Sequence, residues 1–310
     1  MAARLVLISV GLGMLLALAL ALNGDSLWQA AVYALNHPWG ILAAFAAYTA
    51  SFALRTLAWR QFVRERVSLR RLFALIMGGL FLNHAAPAKA GDLARMYALA
   101  QWGIAGEKAV ASVVLSRLVD LVALLAVLLA SWALVGVGGW ETFVYPTLFV
   151  AGVAVALSIL SRLKVPACFG VMGRWVGHIQ GASRETTWAA LLRSLAFAAP
   201  AWVLEAGILL FVVRGIGVEL SFAEVVAGTC FAVLVAAIPL APGALGTYEA
   251  GMVAALVSFG VAVEVAFAAA VLTHALKFLY AFVAAPFALG EGLAAVRKGE
   301  VKPDEVSVKV

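Results

Sequence analysis

Of the 310 residues, 65% are hydrophobic and only 12% charged, with a mean hydropathy of +1.04 and a formal net charge of +6. That composition excludes a soluble domain packed around one core and makes a polytopic membrane protein the expected class. In such a chain basic residues report membrane side first, so the positive excess does not point to nucleic acid.

Apolar runs long enough to span, against the roughly 20 residues a bilayer requires, lie near 4–22, 39–58, 108–134, 142–161, 190–213 and 263–289. The first run, headed by Arg4, resembles a signal peptide ending at Ala19-Leu20-Ala21, but is read as a retained helix because the two halves then have equal helix counts. Two further runs, 72–86 and 222–238, end in related clusters. Ala86-Pro87-Ala88-Lys89-Ala90-Gly91-Asp92 and Ala241-Pro242-Gly243-Ala244-Leu245-Gly246-Thr247 both read A-P-x-x-x-G, and short helices are expected after them near 92–101 and 249–259. Proline and glycine interrupt helices, and an interruption at membrane depth survives only where the freed backbone groups face protein or a watery cavity. Each run with its follower is therefore expected to form a re-entrant hairpin. The stretch 165–187, with Trp175 and Trp188 beside basic residues, is expected to lie along the interface.

Basic residues set the orientation. Arg60, Arg64, Arg66, Arg70 and Arg71 share one loop, Arg162, Lys164, Arg174, Arg184 and Arg193 another, and Arg297, Lys298, Lys302 and Lys309 the tail. With both hairpins re-entrant these clusters and Arg4 fall on one side, while the loops 23–38 and 136–141 carry no Lys or Arg; only Arg214 lies outside. The positive-inside rule then puts both termini in the cytoplasm. The expected fold is all-α, with six full spans plus two re-entrant Pro/Gly-broken hairpins arranged as an inverted repeat. Its first half would be 1–135, its second 136–290, and its tail 291–310. Paired breaks in corresponding places of two halves point to a binding site at the midplane.

The ionisable residues near those breaks are the candidate site. Lys89, Asp92 and Arg95 surround the first break, and the spacing puts Asp92 and Arg95 on one helix face. Arg117 and Asp120 lie three apart in the next span and are expected to pair. Glu249 opens the helix after the second break, and His274 and Lys277 lie three apart in the last span. Such residues inside spans either glue helices together or serve a polar pathway. The cations Lys89, Arg95, Arg117, His274 and Lys277 exceed Asp92, Asp120 and Glu249, and restarting helices add exposed N–H groups, so an anion such as a lipid phosphate suits the site. Glu205, alone in its span, reads either as a proton carrier or as a hydrogen-bonding partner across helices. Arg55 and Arg60 read as snorkelling to the cytoplasmic interface, and Trp28, Trp39, Trp132 and Trp140 as interfacial anchors. Cys168 and Cys230 read as inert thiols, and no metal-binding or nucleotide-binding motif implies a cofactor.

Three motifs stand in order along the chain: Asn83-His84-Ala85-Ala86-Pro87-Ala88-Lys89-Ala90-Gly91-Asp92-Leu93-Ala94-Arg95, Arg117-Leu118-Val119-Asp120, and Pro242-Gly243-Ala244-Leu245-Gly246-Thr247-Tyr248-Glu249. They resemble the lysylphosphatidylglycerol synthase transmembrane region family, whose members are also called flippase-like. The resemblance implies roles in the breaks for Asn83, Pro87, Gly91, Pro242, Gly243 and Gly246. It departs at Ser116, where the family often has Glu, and at His274, near a position often held by Arg. Gly246-Thr247-Tyr248-Glu249 with His274 is most similar to the stand-alone, hopanoid-associated branch. The aminoacyl-transferring soluble domain of the larger synthases has no counterpart in this sequence, so the expectation is the lipid-moving part and not an enzyme.

The expected function is translocation of an anionic or glycosylated lipid between leaflets. Lys89, Arg95, Arg117, His274 and Lys277 would contact the headgroup, while Asp92, Asp120, Glu249 and Glu205 balance charge or couple protons. The expected partners are the lipid, the bilayer and lipid-synthesis enzymes. Two other readings are an integral-membrane transferase using a lipid-linked donor, with Asp92 or Glu249 as base, and a non-transporting scaffold for lipid synthesis.

Overall fold

A computed structural model of the chain describes residues 24–63, 67–85, 90–136, 186–237 and 241–297. The expected spans 4–22 and 142–161, the interfacial stretch up to residue 185, Cys168, and Pro87 with Lys89 lie outside the described residues.

Every regular element among the described residues is helical. Beside a helical stretch over 24–36, the helices are α1 (Pro38–Arg60), α2 (Leu69–Ala85), α3 (Ala90–Gln101), α4 (Gly106–Val135), α5 (Trp188–Glu205), α6 (Gly207–Gly215), α7 (Phe222–Ala236), α8 (Thr247–Ser258) and α9 (Val263–Arg297). Four stretches are long and apolar enough to cross a bilayer: Pro38–Arg60, Gly106–Val135, Trp188–Gly215 and Val263–Ala288. They match four of the six expected spans. The short runs before the two breaks appear as α2 and α7, and the short followers as α3 and α8.

One local expectation is corrected. The segment 23–38, expected as an outer loop, is helical over 24–36 and breaks at His37. Pro38 sits in the first turn of α1, where its missing N–H is harmless, and it disfavours helical backbone at the preceding residue. Leu27 packs with Ala268 and Val271 of α9, which gives the segment an apolar surface to rest on. At the other end α9 continues to Arg297.

Local chemistry fixes several termini. Gly136 closes α4 in the left-handed conformation (φ 69°). Ser221 and Glu224 form a capping box at α7, the Ser221 N–H donating to Glu224 Oε2 at 2.6 Å. Between α7 and α8 the turn Pro242–Ala244 places Gly243 at φ 64°. Ala244 follows at φ 60°, a region uncommon for residues with a Cβ, so the second break holds strained backbone.

Lipid tails are as apolar as leucine, so helices in a bilayer associate through close packing of small residues and polar links. The α1 and α5 pair and its extension to α6 follow that rule. A side chain at Gly207 would meet Ala47 Cβ at 3.2 Å, and the Ser194 hydroxyl donates to the Ala58 carbonyl at 3.1 Å. α2 packs on α3 and on α9, α7 packs on α8 and on α4, and α3 and α8 pack on α4 and α9 respectively. One apolar cluster joins α4 to α5, α6, α7, α8 and α9, a second joins α1 to α2 and α3, and the polar cavity opens between them.

Candidate functional site

The cavity measures about 500 Å³, and seven of its charged lining residues form one chain of alternating charge. Lys277 Nζ of α9 donates to Glu205 Oε1 of α5 at 2.8 Å, and Arg55 Nη2 of α1 donates to Glu205 Oε2 at 2.6 Å. Arg55 Nε reaches Asp120 Oδ1 of α4 at 3.3 Å, and Asp120 Oδ2 lies 3.8 Å from Arg117 Nη1. Arg117 forks onto Asp92 of α3, its Nε and Nη2 donating at 3.0 and 2.7 Å, and Arg95 Nη1 completes the chain to Asp92 at 3.2 Å. Five helices are thereby tied together through charge alone.

These links explain how ionised groups persist in an apolar bundle. An unpaired charge at that depth is unfavourable by at least about 3 kcal/mol, whereas a paired, hydrogen-bonded one is tolerated. Aromatic faces supply more. The Arg95 guanidinium lies 4.0 Å from the Trp59 ring centre, Arg55 lies 4.1 Å from that of Trp202, and Lys277 lies 4.9 Å from that of Tyr248. Arg95 Nε is buried without a hydrogen-bond partner. Arg117 is the most open member of the chain, its side chain 45% exposed while Glu205 and Lys277 are at 7% and 4%.

A second polar unit adjoins this chain. His274 Nδ1 donates to Glu249 Oε1 at 2.7 Å, both side chains being buried. Glu249 Oε2 accepts from the Gly246 N–H at 2.7 Å, so one carboxylate both caps α8 and holds the imidazole. Tyr248 lies against the His274 ring at 4.3 Å, with its hydroxyl buried and unpartnered.

The sequence-predicted residues divide as follows. Asn83, Asp92, Arg95, Arg117, Asp120, Glu205, Gly243, His274 and Lys277 line the cavity. Glu249, expected to face the same cavity as Asp92, borders a separate groove with Gly246, Val263 and Phe267, because its carboxylate turns back to cap its own helix. Gly91 is a packing contact: its N–H donates to Asn83 Oδ1 at 2.9 Å, where α2 and α3 touch. Arg117 forks onto Asp92 and only approaches Asp120, since a two-pronged guanidinium prefers a carboxylate presented edge-on by the neighbouring helix. Glu205 is hydrogen-bonded across helices to two cations.

Arg55 was misplaced by the expectation that it snorkels. It is buried between α1, α4 and α5, with its head on Glu205 and Asp120. Its position inside the apolar run 39–58 was the available signal, because an arginine within a span faces the protein interior by default. Tyr48, His84 and Trp202 also line the cavity without having been singled out, and nothing in their spacing marks them. No group of three or more His, Cys, Asp or Glu side chains suited to a metal comes together among the described residues.

No curated protein matches the chain. The motifs at the breaks, the long apolar helices and the charges inside them agree with a match over residues 1–285, and the chain belongs to the lysylphosphatidylglycerol synthase TM region family of membrane proteins.

Proposed function

We propose that the protein is a bacterial inner-membrane lipid translocase, in which the cavity takes the headgroup of an anionic or glycosylated lipid while it passes between leaflets. The observation that carries this reading is the run of four cations and three carboxylates lining a cavity inside an apolar bundle. Arg117, with nearly half its side chain open, is the cation best placed to meet a phosphate, and Arg95 Nε has a hydrogen bond still to give. Gly246-Thr247-Tyr248-Glu249 together with His274 supports placing the chain in the hopanoid-associated branch.

The same proposal includes an inverted repeat of 1–135 and 136–290 with re-entrant hairpins α2–α3 and α7–α8. Its support is reciprocal packing: α2 lies on α9 as α7 lies on α4, and α3 lies on α4 as α8 lies on α9. A two-fold relation between halves generates that exchange of partners. Both termini are then cytoplasmic. In a Cys168→Ser, Cys230→Ala background, a cysteine at Ala105 should label only after permeabilisation, and cysteines at Glu219 and Ala262 should label from outside. All three positions are exposed. External labelling at Ala105 would reject the orientation.

Leaflet exchange in vesicles containing the purified chain tests the function. Wild type should accelerate exchange of a fluorescent anionic phospholipid. Arg117→Ala should keep its folded yield yet lose at least about tenfold in exchange rate, the effect of one lost charge-assisted fork of about 1.5–3 kcal/mol. Unchanged exchange in that variant would return Arg117 to a structural role.

A further inference from the structure

We propose that His274 takes up a proton with each anionic headgroup that enters the cavity, so that lipid and proton bind as a neutral pair; this rests on the translocation reading. Charge bookkeeping leads to it. Among the described residues, Lys277, Arg55, Arg117 and Arg95 line the cavity with Glu205, Asp120 and Asp92, and Glu249 stands directly behind His274, so the site with this dyad included holds four charges of each sign when the imidazole is neutral. A monoanionic phosphodiester entering that balanced set leaves one uncompensated negative charge in a poorly solvated interior, which is strongly unfavourable. Protonation of His274 supplies the missing positive charge. Histidine is the side chain whose charge changes between about pH 5 and 8.

The geometry fits one proton site on the imidazole. Nδ1 is committed to Glu249 Oε1, so Nε2 is the nitrogen that binds and releases the proton, and His274 itself lines the cavity. The Glu249 carboxylate, held also by the Gly246 N–H, stays in place to stabilise the imidazolium. The other titratable or charged groups around His274 are Tyr248 on α8, His84 on α2, and Lys277 one turn along α9. Lys277 reaches Glu205 of α5 and the ring of Tyr48 of α1. Cys230 is buried on α7, and α6 carries only Arg214, which is exposed. His84 Nδ1 already meets the Leu80 carbonyl at 2.9 Å, and its ring centre lies 6.3 Å from that of His274, close enough to feel a charge there.

Titration calorimetry of the detergent-purified full chain with dihexanoyl phosphatidylglycerol, a soluble monoanionic lipid, counts protons when repeated in buffers of different ionisation enthalpy. Uptake should rise to about one proton per lipid as pH is scanned, and on the alkaline side affinity should fall by up to about tenfold per pH unit. His274→Gln, which retains a donor for Glu249, should abolish the uptake, and His84→Gln should preserve it. No uptake by wild type means that the fixed cations, Lys89 included, already balance the lipid, and overturns the proposal. Uptake surviving in His274→Gln, or lost only in His84→Gln, overturns it too, as does a wild type that does not bind this lipid. Proton-linked binding without leaflet exchange in vesicles would sink the translocation reading and leave the linkage standing; exchange without proton uptake would do the reverse.

Discussion

Glu205→Ala should be among the most damaging single changes in the chain, lowering stability by about 3–5 kcal/mol. The carboxylate holds Arg55 through Oε2 and Lys277 through Oε1, and its side chain is only 7% exposed. Removing it leaves two cations from α1 and α9 facing one another with little water to separate them. Deleting Lys277 instead leaves Glu205 with Arg55, and deleting Arg55 leaves it with Lys277, so each cation variant should be milder. Thermal unfolding in detergent, followed by the loss of the monodisperse species, provides the measurement. A compensated variant, Glu205→Gln with Lys277→Met, should recover part of the loss because the excess charge goes with the lysine. A melting temperature for Glu205→Ala equal to wild type would show that Arg55 and Lys277 do not depend on this carboxylate.

Gly91→Ala should prevent α2 and α3 from closing on one another. A Cβ at this position runs into the carbonyl oxygen of Gly79 and comes within 2.7 Å of Asn83 Oδ1, the atom that accepts the Gly91 N–H. Backbone on the facing helix cannot rotate aside, so α2 and α3 must separate and the Asn83 bond must break. The expected loss is at least about 3 kcal/mol, the upper end of overpacking effects. Asp92 follows Gly91 on α3, so the same movement would detach it from Arg117. Gly78→Ala is the control, because its new Cβ makes an ordinary 3.5 Å contact with Ala288. Folded yield after solubilisation should collapse for Gly91→Ala and stay near wild type for Gly78→Ala; equal yields would reject the close approach at Gly91.

The sequence by itself determined the membrane class, the four described spans, the short helices on either side of the two Pro/Gly clusters and the family, all of which rest on local information. A run of apolar residues such as 108–134 is a helix in lipid because every backbone group must find its partner within the segment. Pro242, Gly243 and Gly246 interrupt the chain through their own backbone preferences, whatever surrounds them. Even the list of intramembrane charges was legible, since an ionisable residue in an apolar run is conspicuous. The partners were legible only within a helix. Arg95 reaches Asp92 and Arg117 lies 3.8 Å from Asp120, each pair three apart, yet the carboxylate that Arg117 grips most closely is Asp92, brought alongside by α3. Arg55 looked like a residue bound for the interface until α4 and α5 placed Asp120 and Glu205 beside it. Glu249 looked like a companion of Asp92, but its carboxylate turned to Gly246 and His274. A side chain's charge is a property of the residue, whereas the ion it pairs with depends on which helices become neighbours and how they rotate. Only the tertiary packing decides that, because attraction between charges acts over a few ångströms of space and takes no account of separation along the chain.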